Sequence, residues 1–452
     1  MKNVALYNLG CKVNSYETEG MRQALLEKGY NIVPFDQGAD IYIVNTCTVT
    51  NIADRKSRQM LHRAKLYNPQ AVVVAVGCYV QTGQDALERD GSVDLAVGNN
   101  RKKDIVEILE EFLGARGEGP KGADKTLCGT TVLDMARARK YEEMRINGTA
   151  GHGHTRAYVK IQDGCNQFCS YCVIPYARGR VRSRRQEDVA EEIRGLAEEG
   201  CREVVLTGIH ISSYGMDFPE GDGCGSGGLI GLVEQVHGIP GLERIRLGSL
   251  EPRIITPAAA ERLAALPKLC PHFHLSLQSG CDATLKRMNR HYTTGEYFES
   301  VESLRKCFSH PAVTTDVIVG FPGETEEEFG CTREFLEKVG FYEMHIFKYS
   351  RRAGTAADRM PDQVPDGVKA WRSGELLELE RSQSVEFRRH YIGREAQVLL
   401  EEQLEIAGER YWVGHTKDYV KVAIKASGHG GLGENLLVTV PVGGFLTDEI
   451  LI

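Results

Sequence analysis

Cys165-Asn166-Gln167-Phe168-Cys169-Ser170-Tyr171-Cys172 sets three thiols inside eight residues. Thiolates at this CxxxCxxC spacing wrap one face of a cubic iron–sulfur cluster and leave its fourth iron without a protein ligand. A closed zinc site wants a fourth Cys or His close by. Downstream, Cys201 and His210 belong to the next strand unit, and upstream His152 and His154 sit in a Gly-rich stretch, so a cluster is the better reading. Three metal-free buried thiols are the bland alternative, and their density argues against it. A second set, Cys11, Cys47 and Cys78, is dispersed, yet each residue follows the carboxyl end of a strand candidate. In a parallel open sheet those ends converge on one edge, where three thiols can hold a second cluster with an open iron. Any one of them alone is more often a small buried hydrophobe. Cys128, Cys201, Cys224, Cys270, Cys281, Cys307 and Cys331 show no such equivalence and receive no ligand role.

The elements that must position these thiols follow an α/β rhythm. Strand candidates at Val4–Leu9, Ile41–Asn45, Ala71–Gly77 and Asp94–Gly98 alternate with helical stretches at 15–29, 54–67 and 102–113. That predicts an N-terminal parallel α/β domain over 1–113. Residues 114–150 lose the pattern and read as a linker. From 151 to 365 six strand candidates (Ala157–Gln162, Glu203–Ile209, Arg244–Ser249, His272–Gln278, Thr315–Phe321, Met344–Tyr349) alternate with helices. Six units are too few to close an eight-stranded barrel, which predicts a partial (β/α)6 TIM-like barrel with its site at the carboxyl strand ends. The Gly-rich stretch Gly221–Gly228 reads as a loop tip. A charged helix over 366–390 bridges to 391–452, where short strands and Gly turns predict a small antiparallel β-barrel.

Composition narrows the classes. The chain has 452 residues, 42% hydrophobic and 26% charged, which is a globular balance rather than a disordered one. Its net charge of −7 excludes a globally basic nucleic-acid binder but not a local basic groove. No apolar run approaches the ~20 residues of a membrane span, and the first residues show no signal-peptide pattern, so the expected compartment is the cytoplasm. Thirteen cysteines without an export signal favour metal chemistry over disulfides.

The triplet with Tyr171 before its last cysteine, following the first strand of a six-unit barrel, resembles the radical S-adenosylmethionine (SAM) enzymes. The resemblance implies that SAM chelates the open iron and is cleaved reductively to a radical that takes an unactivated hydrogen. Leu206-Thr207-Gly208 resembles the glycine motif that meets the SAM amino group, and a plain strand-ending turn is the alternative. Ser276 and Gln278, alternating on one strand face, point together into the barrel, toward cofactor, substrate or each other. Val317–Glu324 resembles the late-strand motif beside the adenine, preceded by Asp316 where other members often have Gly. Tyr171, Thr207, Gly208, Ser276 and Gln278 are therefore the expected cofactor-binding residues.

Leu9-Gly10-Cys11-Lys12-Val13-Asn14, Asn45-Thr46-Cys47-Thr48-Val49-Thr50 and Gly77-Cys78-Tyr79 resemble the N-terminal domain of the methylthiotransferases. The C-terminal barrel resembles the RNA-binding TRAM type, so the likeness spans the whole chain. Within that group the motifs are most similar to the branch acting on N6-threonylcarbamoyladenosine in tRNA, at position 37 on the 3′ side of the anticodon. The isopentenyladenosine branch usually carries Gln-Met-Asn after the first cysteine and the ribosomal-protein branch Pro-Lys-Asn, whereas this chain has Lys12-Val13-Asn14. The resemblance implies two [4Fe-4S] clusters, SAM, a tRNA substrate, an electron donor and a sulfur donor. The alternatives are the same chemistry on isopentenyladenosine or on a ribosomal-protein side chain, or an iron–sulfur module without catalysis. Arg178, Arg180, Arg182, Arg184 and Arg185 crowd the segment after the triplet, and alternation would line four guanidiniums along one side for phosphate contact. A solvated charged loop is the bland reading. Lys286, Arg287 and Arg290 form a weaker candidate, and Tyr411, Trp412 and Tyr419 stack on bases or pack in a core.

Overall fold

The computed structural model describes residues 2–118, 130–144, 146, 155–219, 227–427 and 431–452. In the N-terminal domain the β-branched runs Ile41–Thr46 and Val72–Gly77 are buried along their whole length, as strands covered on both faces must be. The sheet runs in the order Asn31–Ile32, Asn3–Asn8, Ile41–Thr46, Val72–Gly77, Leu95–Val97, Thr130–Thr131, with every pair parallel. Its last strand corrects the linker expectation. Thr130–Thr131 joins the sheet edge, and Met135 and Met144 beyond it are 2% and 5% exposed. Tyr141 then donates to the Lys160 carbonyl at 2.7 Å. Cys128, His152, His154 and Cys224 lie outside the described residues.

Six parallel strands build the central domain: Arg156–Asp163, Glu203–Gly208, Arg244–Leu247, His272–His274, Ala312–Val319 and Glu343–Lys348. The first three and the last three form two ladders, joined by single parallel bridges at Ile245↔Leu269 and Leu250↔Leu275. The result is one open arc. Alternate residues such as Val159, Ile161, Val204, Leu206, Val317 and Val319 pack outward against the helices. Sequence marks two of these helix starts clearly: Thr293 with Glu296, and Thr325 with Glu328, form reciprocal capping boxes. The alternate set, including Arg156, Lys160, Glu203 and Arg246, faces the lumen.

The C-terminal sheet is antiparallel except for Lys421–Lys425 against Ile450–Leu451, which run parallel. It seats under the arc through buried arginines. Arg244 donates to the His415 and Gln397 carbonyls at 2.8 and 3.0 Å, and Arg246 to the Lys417 carbonyl at 2.8 Å. Tyr419 lies 5.0 Å from the Arg156 guanidinium and 4.6 Å from that of Arg246. Its ring is thus committed to this interface, and Tyr411 is 5% exposed, so neither is presented to bases. Trp412 packs at the edge of the C-terminal core.

The N-terminal domain bridges the open side of the arc, held at both edges. At the first strand, Lys160 pairs with Glu17 of helix Lys12–Glu27 at 2.7 Å. Beyond the sixth strand, Arg352 donates to Asn51, Asp54 and Thr48, each at 2.7 Å. No helix among the described residues is long and apolar enough to cross a membrane.

Glu17 is 1% exposed and contacts Lys102, Lys160 and Arg178. Removing one partner of a buried ionic cluster strands the others, which costs about 3–5 kcal/mol. Glu17→Gln should lower the urea-unfolding stability of the metal-free protein by that amount. Glu386→Gln, at an exposed pair with Arg389, should leave the transition in place.

Candidate functional site

Each dispersed cysteine sits where a parallel strand ends. Asn3–Asn8 leads to Cys11, Ile41–Thr46 to Cys47, and Val72–Gly77 to Cys78. The backbone is shaped to bring them together. Gly10 has φ +100°, and a Cβ there would lie 2.9 Å from both Cβ and Sγ of Cys47. Cys78 accepts hydrogen bonds from Arg178 Nε at 3.2 Å and Asn99 Nδ2 at 3.5 Å. Burial pushes the Cys47 thiol up to about 11, with Cys78 and Cys11 adding to the shift.

The second set occupies the loop after the first barrel strand. Cys169 accepts from Arg290 Nη1 at 3.2 Å, and Cys165 from the Gln167 amide at 3.5 Å. Burial raises the Cys165 thiol to about 11 and that of Cys172 to about 12. Buried thiols this reluctant to ionise need a cation or metal to become ligands. Glu251 braces the loop from the third strand's end. It accepts from Gln167 at 3.1 Å and lies 3.4 Å from His210 and 3.6 Å from Arg290. Burial works against its charge, but the His210 hydrogen bond and the Arg290 charge outweigh it and hold the carboxyl below its usual range. Sequence gave no sign of this Glu251 brace, because its members come from different loops.

The expected cofactor residues fall along the same lumen with one change. Tyr171 stacks edge-on against Phe321 at 6.3 Å. Thr207 is 3% exposed at the end of the second strand. A Cβ on Gly208 would meet the Gln162 carbonyl oxygen at 2.9 Å, so close backbone approach alone demands glycine there. Ser276 is half-buried. The regular strand stops at His274, and Gln278 adopts φ +71° while its backbone bridges Val317. The simple alternation of Ser276 and Gln278 is therefore broken by a left-handed turn.

The arginine segment overturns a larger expectation. Arg178, Arg182 and Arg184 are 1%, 1% and 4% exposed. Residues Ile174–Arg178 form a helical turn, and Arg182–Ser183 pairs with the first barrel strand, so no extended run exists to alternate. Arg178 pairs with Glu17 at 2.8 Å and Asp163 at 3.2 Å, Arg182 with Asp163 at 3.6 Å, and Arg184 with Glu192 and Glu143 at 2.5 Å. These three are buried in ion pairs with carboxylates inside the fold and face no phosphate. Arg180, over the Phe168 ring at 4.5 Å, and Arg185, 3.6 Å from Glu187, are exposed. Arg287 and Arg290 are likewise engaged, with Glu328 and with Cys169.

Two lumen features were not foreseen. His274, Asp316 and His345, from three adjacent strands, bring one ligand atom each within 4.8 Å of one another. Lys12, directly after Cys11, reaches among Arg246, Arg156 and Glu203. Burial first, and then the two guanidiniums, lower its pKa against the opposing pull of Glu203.

Comparison with known proteins accords with this geometry. The family described as Radical SAM superfamily matches residues 159–336, and that described as Uncharacterized protein family UPF0004 matches residues 3–98. The chain is 40% identical over 429 residues to the threonylcarbamoyladenosine tRNA methylthiotransferase MtaB of Bacillus subtilis, covering 94% of this chain and 91% of that one. It is 34% identical over 406 residues to the tRNA-2-methylthio-N(6)-dimethylallyladenosine synthase of Moorella thermoacetica, covering 88% and 87%. In fold it resembles the radical SAM methyltransferase TsrM of Kitasatospora setae, with a TM-score of 0.59 at 16% identity, over 79% of this chain and 77% of that one. The arc and its cysteine loop define a radical SAM enzyme, a class that uses SAM and a [4Fe-4S] cluster. Within that class the chain belongs to the methylthiotransferase family.

The Gly10 contact yields a direct test. Gly10→Ala forces a Cβ against the Cys47 sulfur at a backbone angle that favours glycine. Anaerobic reconstitution should leave this variant with less bound iron per chain than the wild type.

Proposed function

We propose that this enzyme replaces the C2 hydrogen of N6-threonylcarbamoyladenosine in tRNA by a methylthio group. Cys165, Cys169 and Cys172 hold the SAM-binding [4Fe-4S] cluster, and Cys11, Cys47 and Cys78 hold a second one. The observation that carries this reading is the convergence of both cysteine sets on one lumen, with Arg178 spanning from Cys78 to Asp163, two residues before Cys165.

The residues fit these groups. Behind Arg178, which donates to Cys78, the cations Lys102, Lys160, Arg178 and Arg182 stand against Glu17, Asp163 and Glu142, a surplus of one suited to anionic thiolates. When bound, cluster and SAM supply the one-electron chemistry that an unactivated C–H bond requires. The chain's own groups do the holding. Arg290 and Gln167 donate to the barrel thiols, Arg178 and Asn99 to Cys78, and Thr207, Gly208, Ser276, Gln278 and Tyr171 line the cofactor's side of the lumen. Exposed Val49, Ile52 and Tyr176, at 54%, 57% and 58%, offer apolar and aromatic surface to unpaired bases near the cysteine loops.

Mass spectrometry of tRNA nucleosides tests the reading. A strain lacking the gene should accumulate N6-threonylcarbamoyladenosine without its methylthio group. The wild-type gene should restore it and the Cys47→Ala gene should not, although the purified variant still cleaves SAM reductively. Loss of the methylthio group from isopentenyladenosine instead would make that nucleoside the substrate.

Phosphate contact now rests on the exposed arginines. Arg180→Gln should flatten the slope of log affinity for tRNA against log salt by about 0.7–0.9, the share of one phosphate. Arg182→Gln should destabilise the fold and leave that slope unchanged.

A further inference from the structure

The cation that follows the first cysteine is not absorbed by anything described so far. Lys12 opens the helix Lys12–Glu27 with Cys11 at its N-cap, so its place is tied to the second cysteine set. Its side chain is accessible, yet the charges acting on it, Arg246, Arg156 and Glu203, all belong to the lumen wall. His272, half-buried in the same wall, also feels Lys12. The access is to the lumen. Among the described residues the ammonium makes no hydrogen bond or ion pair.

The one carboxylate acting on it is shared with three arginines. Glu203 pairs with Arg156 at 2.6 Å, Arg246 at 2.8 Å and Arg244 at 3.8 Å. Arg156 also takes Glu401 at 2.7 Å. Four cations (Lys12, Arg156, Arg244, Arg246) thus stand against three carboxylates (Glu203, Glu401 and Asp418), a surplus of one. Arg246 and Glu203 each keep one unpartnered atom in this wall, Nη2 and Oε2. Arg246 is 1% exposed, and its Nη2 is buried without a hydrogen-bond partner. An orphaned buried donor is costly, and here it stands with an unpaired ammonium.

A small anionic acceptor satisfies both. In adenosine the N6 substituent lies across N1 from C2. A nucleoside whose C2 faces the Cys11 site therefore carries its N6 substituent along the adjacent edge, within the reach of Lys12. The threonylcarbamoyl group ends in a carboxylate, whereas the dimethylallyl group has no acceptor at all. We propose that Lys12, backed by Arg246, binds the carboxylate of the N6 substituent and so selects an acidic nucleoside over an apolar one. This rests on the threonylcarbamoyladenosine reading and makes Lys12 a specificity-determining residue within it. A site built to bond a polar group rejects an analogue lacking it far more strongly than an apolar pocket rejects a misfit.

The test uses the full-length, anaerobically reconstituted enzyme and synthetic anticodon stem-loops. These carry N6-threonylcarbamoyladenosine, its methyl ester, or isopentenyladenosine, and both Kd and kcat/KM are measured. In the wild type the ester should bind and react about 10²-fold more weakly than the acid, the scale for losing one partner of an enclosed charge pair. Lys12→Met should lose a similar factor on the acid and no longer distinguish acid from ester. Lys12→Arg should restore most of the discrimination. Iron content is measured for each variant because Lys12 adjoins Cys11. If Lys12→Met loses iron, the wild type on the ester and Lys12→Arg on both loops decide the matter. Equal handling of acid and ester by the wild type, or full discrimination by an iron-replete Lys12→Met, overturns the proposal and leaves the nucleoside reading standing. Turnover of the isopentenyl loop alone overturns the nucleoside reading itself.

Discussion

Arg178 donates through Nε to Cys78, through Nη1 to Glu17 and Asp163, and through Nη2 to Asn14 and Glu17, all while 1% exposed. Those partners belong to the cysteine edge of the N-terminal sheet, to its first helix and to the first barrel strand. A charge taken this far out of water persists only where every donor is answered. Burial opposes ionisation of Glu17, yet Arg178, Lys102 and Lys160 hold its carboxyl well below the usual range. The docking of one domain on the other is thus a condition of Arg178's burial. The same side chain sets the place of Cys78 relative to the loop that carries Cys165. The proposed reaction needs both cysteine sets in one space, and this cluster of charges holds the two domains together there.

The lumen is finished from below by the C-terminal sheet. Tyr419, at φ +71°, inserts its ring between Arg156 and Arg246, with His415 stacked on it at 4.4 Å. Arg244 and Arg246 are ordinary alternate residues of a short strand, but their guanidiniums reach the carbonyls of another domain. A sheet expected for RNA contact alone is also the floor of the barrel. The cations at that seam, Arg156, Arg244 and Arg246, come from the barrel strands, and the sheet answers them with carbonyls and Glu401.

The six candidate ligands were legible because their signals are local. A CxxxCxxC run and a cysteine after each of three strands survive any uncertainty in how domains meet. The barrel strands were legible for the same reason, from apolar alternation and two Thr-x-x-Glu capping boxes. Arg178, Arg182 and Arg184 were misread because their partners are not local. Glu17 is 161 residues from Arg178, and the period-2 argument assumed an extended segment where a helical turn and a Gly179 at φ +74° intervene. Thr130–Thr131 gives no strand signal in the sequence, because a two-residue strand carries no period to detect. Lys12 is visible in the motif, but its neighbours Arg156, Glu203 and Arg246 come together only in the assembled lumen.

The central claim is that two metal sites face one lumen across a buried arginine. Iron-edge anomalous diffraction from crystals of the anaerobically reconstituted protein measures it most directly. The account predicts two anomalous peaks, one at Cys165, Cys169 and Cys172 and one at Cys11, Cys47 and Cys78, with Arg178 between the second peak and Asp163. A single peak at the barrel loop, with the N-terminal cysteines bare and Arg178 still paired, would contradict it.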